Sequence, residues 1–405
     1  MSEEEVNLPL IDPTIIGQIL DTQAVGFSFP AQIVFGYGVL NRISFLSLFL
    51  KSSNAFIICD PEIEKLGYVR KVQRYLKLSG LTSTIFNEIE PNPNEETVIK
   101  AVESYKNAGC DLVIAIGGGS AIDVGKVVRL LAKQGGKVSD YDASHSSIMS
   151  IHELLPPQIS IPTTSGTGSE VSIVAMITSE KEKITILGYP LISTIALVDP
   201  ELTMSCPPRL TAYCGMDALT HAIESFISLR INPVADMFSL QAITLIAQNL
   251  KKVYENGNDA KARINMSLAA LEAGMAFNQK SVGLVHAMSH QLSAKFNLPH
   301  GLANAVMLST VLKFNKSVCK EKYATMGIAL GLSLGSIDEG ADRFIQEIEK
   351  LISALSIPNK LRECGVKESE IPEMAKMALK DISIITNPLQ PITQETVEKL
   401  YREAY

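Results

Sequence analysis

Five side chains carry most of the chemistry this sequence can do: Asp217, His221, His286, His290 and His300. Three of them fall in one stretch, Gly283–Asn304, which reads GLVHAMSHQLSAKFNLPHGLAN, and His221 follows Asp217 by four residues in MDALTHAIE. Of the chain's 6 histidines, only His145 and His152 lie elsewhere. Residues i and i+4 share one face of a helix. Asp217 therefore points with His221, and His286 with His290. A single histidine on an apolar helix face is ordinarily a hydrogen-bonded core residue. Two histidine-bearing i,i+4 pairs, with His300 behind Pro299, instead describe a metal site. Imidazoles with a carboxylate suit a borderline divalent ion such as Fe(II) or Zn(II). Spacing leaves open which of His286 and His290 is a ligand.

Two glycine-rich loops point to an anionic partner. Gly117–Lys126 (GGGSAIDVGK) follows the apolar run Leu112–Ile116 and opens a helical stretch. Gly117, Gly118 and Gly119 let the backbone approach a phosphate closely, and the N–H groups and dipole of the helix start attract it. Ser120 with Asp123 three residues on reads as a capping box. The pattern is not GxGxxG, the usual dinucleotide fingerprint, and a tight, well-capped turn has the same composition. Pro162–Glu170 (PTTSGTGSE) is a second loop of this kind, after the strand Gln158–Ile161. Its hydroxyls and amides suit a pyrophosphate or a carboxamide. Asp60 ends the run Ala55–Cys59. A carboxylate there accepts ribose hydroxyls and repels a 2′-phosphate, which favours NAD over NADP; the plainer alternative is an Asp60-Pro61 turn.

These groups need two kinds of scaffold. From Ala55 to Asp199 continuous apolar strands (Ala55–Cys59, Thr82–Phe86, Leu112–Ile116) alternate with helical stretches (Gly67–Ser79, Glu96–Ala108, and one through Lys133). Pro30–Gly36 reads as an earlier strand. This is the pattern of a mostly parallel sheet covered on both faces. After Pro207-Pro208 the chain reads as helices: Ala212–Ser228, Pro233–Glu255, Lys261–Ala276, Leu284–Lys295, Gly301–Lys313, Gly340–Leu355, Glu370–Lys380 and Thr393–Glu403. The expected division is a leader (1–25), an α/β nucleotide-binding domain (26–206) and an all-α metal-binding domain (207–405). A chain of 405 residues is comfortable for two domains. Its net charge of −7 argues against a nucleic-acid partner. No apolar run is long enough to span a bilayer. The N-terminal MSEEEVNLPL lacks the order of a signal peptide. The 6 cysteines are scattered without a CxxC pair, as in a cytoplasmic protein with reduced thiols. Glu180 and Glu182 read as solvated.

Taken together, the chain resembles the iron-containing (group III) alcohol dehydrogenases over nearly its full length. The stretches that carry the likeness are Phe29–Leu40, Pro91–Pro93, GGGSAIDVGK, PTTSGTGSE, VDPELT, GMDALTHAIE, AGMAFN, GLVHAMSHQL, PHGLANA and ALKDISIITNP. The resemblance implies an α/β NAD domain, a helical metal domain and a cleft between them. It implies Asp217, His221, His286 and His300 as metal ligands and His290 as the histidine near nicotinamide and substrate. Gly118, Gly119 and Ser120 match the pyrophosphate loop, and Asp60 the ribose position. Asn92, Thr163, Thr164 and Thr167 match further cofactor contacts. Lys183 matches a lysine near the nicotinamide ribose, although SEKEK is two residues shorter than the usual segment. Phe277 in AGMAFN faces substrate in this scheme. The implied activity is hydride transfer between a small primary alcohol or diol and NAD, with Fe2+ (or Zn2+) as Lewis acid, in a homodimer or larger assembly. One rival is a lyase like dehydroquinate synthase, whose metal set is a glutamate and two histidines. Another is a non-catalytic NAD- and metal-binding module. Net consumption of NADH separates dehydrogenase from both.

Overall fold

The computed structural model describes residues 32–144, 150–179, 183–333 and 335–405. The leader, His145, Glu180 and Glu182 lie outside the described residues. Among the described residues there are eight strands: β1 Gln32–Phe35, β2 Asn54–Ile58, β3 Thr82–Phe86, β4 Leu112–Gly117, β5 Gln158–Pro162, β6 Val174–Thr178, β7 Lys183–Leu187 and β8 Ile195–Val198. Six of them form one parallel sheet in the order β1-β8-β5-β4-β2-β3. The continuous apolar runs explain the placement. Every residue of β4 and β5 is buried, as a central parallel strand requires. Helices α1 Ile43–Phe49, α2 Pro61–Lys65, α3 Tyr68–Leu78, α4 Glu95–Asn107 and α5 Gly119–Lys133 complete this half. In the parallel register Gly117 pairs with Pro162. The carboxyl ends of β2, β4 and β5 therefore bring Asp60, the Gly117–Ser120 turn and the 163–170 loop to one edge of the sheet, where ligands bind in such folds.

Strands β6 and β7 form a separate antiparallel hairpin that the sequence reading did not anticipate. Its period-2 pattern is clean. Ala175, Ile177, Ile184 and Ile186 are buried in a core cluster with Val124, Val127 and Val128 of α5. Their neighbours Val174, Met176, Thr178, Lys183, Thr185 and Leu187 face the opposite side and line a cleft.

The second half consists of helices α6 Pro208–Ile227, α7 Pro233–Glu255, α8 Ala260–Lys280, α9 Leu284–Phe296, α10 His300–Ala329, α11 Ile337–Ala354, α12 Ile371–Ala378 and α13 Gln394–Ala404. One expectation is corrected. The stretch read as ending at Lys313 runs on to Ala329, 30 residues from His300 in all, because no glycine or proline follows Lys313 before Gly327. No described helix is long and apolar enough to cross a membrane. The turn between α9 and α10 is sharp: Asn297 adopts φ 53° and Pro299 caps α10. At the start of α10, a Cβ on Gly301 would lie 2.0 Å from the Tyr213 carbonyl oxygen of α6. Only glycine permits that crossing, and it brings His300 up to Asp217 and His221.

Candidate metal centre and cofactor cleft

Three helices converge on one point. Asp217 and His221 come from α6, His286 from α9 and His300 from the first position of α10. One ligand atom from each of the four lies within 4.8 Å of the others. From Asp217 Oδ1 the Nε2 atoms of His221 and His286 are 3.8 Å away and that of His300 is 3.4 Å. Metal–ligand distances of ~2.1 Å in a tetrahedral site put ligand atoms ~3.4 Å apart. The group thus fits one divalent ion with little movement. The resemblance named His286 rather than His290 as the ligand, and the geometry groups the same four residues.

Three further residues set up this centre. Glu224, buried on α6, accepts His286 Nδ1–H at 2.6 Å. It also accepts the backbone N–H groups of Gly283 and Val285 at 2.8 and 2.6 Å. One carboxylate therefore caps α9 and turns Nε2 of His286 toward Asp217. Asn304, one turn after His300, donates its amide to Asp217 Oδ1 at 2.8 Å and reaches Nε2 of His286 and His300 at 3.2 Å each. Acceptors crowd one spot here, and a cation or a donor must answer them. Asp381 accepts His290 Nδ1–H at 2.7 Å, which fixes the ring and leaves Nε2 as its other polar atom in the cleft lining. Glu224 was discoverable in sequence: it follows Asp217 by seven residues and His221 by three, on the same helix face. Asn304 carried the same signal, four residues after His300 on one helix face; Asp381 carried none.

Electrostatics follow the burial. Desolvation lowers His221 to about 4 and holds His300 well below the ordinary imidazole range. Burial opposes charge on His286 too, but Asp217 and Glu224 outweigh it and raise the ring to about 9. Burial would raise Asp217, yet the histidines around it, His221 first, hold its carboxyl well below the usual range. Asp381 is held low in the same way by His290.

A cleft of about 390 Å³ runs from this centre to the sheet edge. All four residues of the group line it, with His290, Phe277, Asn92, Gly119, Ser120, Asp123, Thr167 and Lys183. Phe277 stacks on His221 at 4.5 Å, and His290 stacks on His300 at 5.3 Å. Asn92 donates its side-chain amide to Asn297 Oδ1 across the cleft at 3.2 Å. Lys183 opens β7 on its cleft-facing side, and burial lowers its pKa. Asp60, Gly117, Gly118, Thr163 and Thr164 are outside the lining. Asp60 Oδ1 caps α2 through Ile63 N at 2.9 Å, so the plain turn reading applies to that oxygen. Its Oδ2 lies toward Gly117, 3.5 Å from where a Cβ would be. Thr163 N donates to the Gly117 carbonyl at 2.9 Å, which ties the two loops together. Thr164 Oγ1 stands 3.7 Å from a Cβ position on Gly118. His152 is exposed and away from the site.

The capping-box expectation is wrong. Gly118 occupies the N-cap of α5 and no side chain caps it. Asp123 instead accepts from Ser169 Oγ and from Met176 N at 3.0 Å. Ser120 thus sits inside the first turn, and Asp123 fastens the second loop and the hairpin to α5. Buried Lys126 does the same work, donating to Ser169 Oγ, Ser172 Oγ and the Val174 carbonyl at 2.9, 3.2 and 2.6 Å. The second loop is also the seam with the helical half. A Cβ on Gly168, whose φ is +61°, would fall 2.5 Å from Gly274 Cα of α8. Sequence reading assigned this loop to the cofactor alone.

The model for iron-containing alcohol dehydrogenases matches residues 30–200, and that for the C-terminal part of the Fe-containing alcohol dehydrogenase family matches residues 211–405. The chain is 36% identical to a 1,3-propanediol dehydrogenase of Citrobacter freundii over 377 residues, 92% of this chain and 96% of that protein. It is 34% identical to an NAD-dependent methanol dehydrogenase of Bacillus methanolicus over 92% of this chain and 98% of that one. The crystal structure of a 1,3-propanediol oxidoreductase superposes with a TM-score of 0.91 at 35% identity, covering 94% of this chain and all of that one.

Proposed function

This chain belongs to the iron-containing alcohol dehydrogenase family, and on that premise we propose that it is an NAD(H)-linked, metal-dependent alcohol dehydrogenase and aldehyde reductase acting on small primary alcohols or diols. The observation that carries the reading is the shared cleft. Asp217, His221, His286 and His300 face the same space as Gly119 and Ser120 at the start of α5. Reactant and cofactor would therefore meet there without either half moving far. The ion these four residues would hold, Fe2+ or in its place Zn2+, supplies Lewis-acid stabilisation of negative charge on the substrate oxygen.

The chain's own groups do the rest. The open N–H groups of the first turn of α5 bind the pyrophosphate of NAD. Asp60 Oδ2 takes the adenosine ribose, and Asn92, Thr163, Thr164, Thr167, Asp123 and Lys183 shape the remaining cofactor surface. The cleft-facing side of β6 and β7 gives the nicotinamide a floor. Phe277, stacked on His221, shields the reacting carbon from water. His290, oriented through Nδ1 by Asp381, moves the proton between the site and solvent. Residues 26–206 bind nucleotide and 207–405 bind metal. Scattered thiols favour a cytoplasmic setting, and a homodimer or larger assembly is part of the reading. A lyase like dehydroquinate synthase is disfavoured, because this ligand set is an aspartate with three histidines.

The test is anaerobic NADH oxidation by protein stripped of metal and reloaded with Fe(II) or Zn(II), against a panel of small aldehydes. Activity that appears only on reloading supports the proposal. Bound NADH and metal with no turnover of any aldehyde would turn the reading to a lyase or a binding module.

A further inference from the structure

The outer end of the cleft carries a charge that the reaction itself does not need. Arg230 lines the same cleft as Phe277, with Val282, Ile382 and Ile385 and the hydroxyl side chains Ser281, Ser383 and Thr386; Arg230, Ile382 and Ile385 are exposed and so mark its outer end. Arg230 sits in the short connection between α6 and α7, and its side chain forms no ion pair among the described residues. Unpaired surface arginines are common. This one differs in how firmly its backbone is held.

The connection is anchored on every side. Arg230 N donates to Ser228 Oγ at 3.2 Å, and Ser228 Oγ donates to the Lys280 carbonyl at 2.7 Å. Leu229 N donates to the Thr386 carbonyl at 3.0 Å. Two lysines answer the carbonyls at the end of α6. Lys280 Nζ reaches the Phe226 oxygen at 3.3 Å, and Lys322 Nζ reaches the Phe226 and Ser228 oxygens at 3.0 and 3.3 Å. Asp236 pairs with Lys280. Around this segment there are thus three cationic side chains, Arg230, Lys280 and Lys322, and one carboxylate. That local excess of positive charge occurs in a chain whose net charge is −7. The carboxylates that line the cleft, Asp123 and Asp217, belong to the cofactor and metal ends.

We propose that Arg230 is a specificity residue that binds an anionic group at the far end of the substrate, so that the preferred substrate is a short aliphatic aldehyde bearing a carboxylate opposite its carbonyl. The proposal rests on the aldehyde-reductase reading. A planar guanidinium takes a carboxylate through two parallel hydrogen bonds. The apolar side chains of the same lining, Phe277, Val282, Ile382 and Ile385, suit a run of methylenes. The chemical step is unchanged: hydride from NADH goes to the carbonyl carbon, a proton goes to its oxygen, and the carboxylate stays as it was. A neutral aldehyde of the same length would leave Arg230 in water and forgo that contact.

The experiment uses the full-length, iron-loaded protein. Steady-state NADH oxidation is measured with 4-oxobutanoate, 5-oxopentanoate and 6-oxohexanoate, each against the neutral aldehyde of equal carbon number. For at least one pair the acid should have a kcat/KM at least tenfold higher, mostly through KM. Arg230→Gln should reduce that acid-to-neutral ratio at least tenfold, and Arg230→Lys should restore part of it. NADH binding followed by fluorescence checks that both variants are folded. A wild-type preference for the neutral aldehydes, or a ratio unmoved in Arg230→Gln, overturns the proposal and leaves the reductase reading standing. Turnover of neither kind of aldehyde overturns both.

Discussion

On the proposed reading, the two halves of this protein hold their ligands by different means. The helical half uses side-chain identity: one carboxylate and three imidazoles on three helices, aimed at a single point. The α/β half uses backbone shape: glycine turns, the start of α5 and one face of a two-stranded hairpin. Side-chain ligands are few and irreplaceable, because each donates a specific lone pair. Backbone ligands are many and individually weaker, because what must be kept is a path close to an anion. Damage to the two halves should therefore differ in both size and kind.

The largest effect is expected for His300→Ala. It removes one of the four proposed ligands and should abolish metal-dependent turnover while NADH binding stays largely intact, as followed by metal analysis and NADH fluorescence. Loss of NADH binding as well would erase the distinction between the halves. A smaller effect is expected for Glu224→Gln. The amide cannot accept three hydrogen bonds as the carboxylate does, and orienting partners of this kind are worth about 10- to 100-fold in metal affinity. Competition with a coloured chelator measures this directly. Unchanged affinity would mean that Glu224 serves only to cap α9. The smallest effect belongs to the backbone-shaped side. The Cβ of Gly119→Ala would lie 2.9 Å from Thr167 Cγ2, so the turn must shift. The expected loss is about 1 kcal/mol, roughly fivefold in Kd for NADH, with metal content unchanged. If metal affinity fell too, the Gly168–Gly274 seam would be transmitting strain between the halves.

The parts that were readable in the sequence share a physical basis. Helical periodicity placed Asp217 with His221 and His286 with His290 before any fold was known, since i,i+4 neighbours are local. Continuous apolar runs marked β2, β4 and β5 for the same reason, as two-sided burial leaves no polar positions. The β6–β7 hairpin escaped because short alternating runs such as VAMIT and KITIL resemble amphipathic surface segments. Only the packing of Ala175 and Ile177 shows which face is core. The helix from His300 was read short because polar residues after Lys313 hid its continuation.

Sequence by itself determined which residue types exist to do the chemistry, on which helices they sit, and that glycine turns end the buried strands. These are local properties, set by spacing along the backbone. Tertiary structure alone decided that Asp381 holds His290 and that Asn304 faces three ligand atoms. It also decided that Ser120 is not a cap and that Arg230 stands at the mouth of the metal cleft. Those relations join residues far apart in the chain, and they exist only once helix crossings such as Gly301 on Tyr213 have fixed the distances.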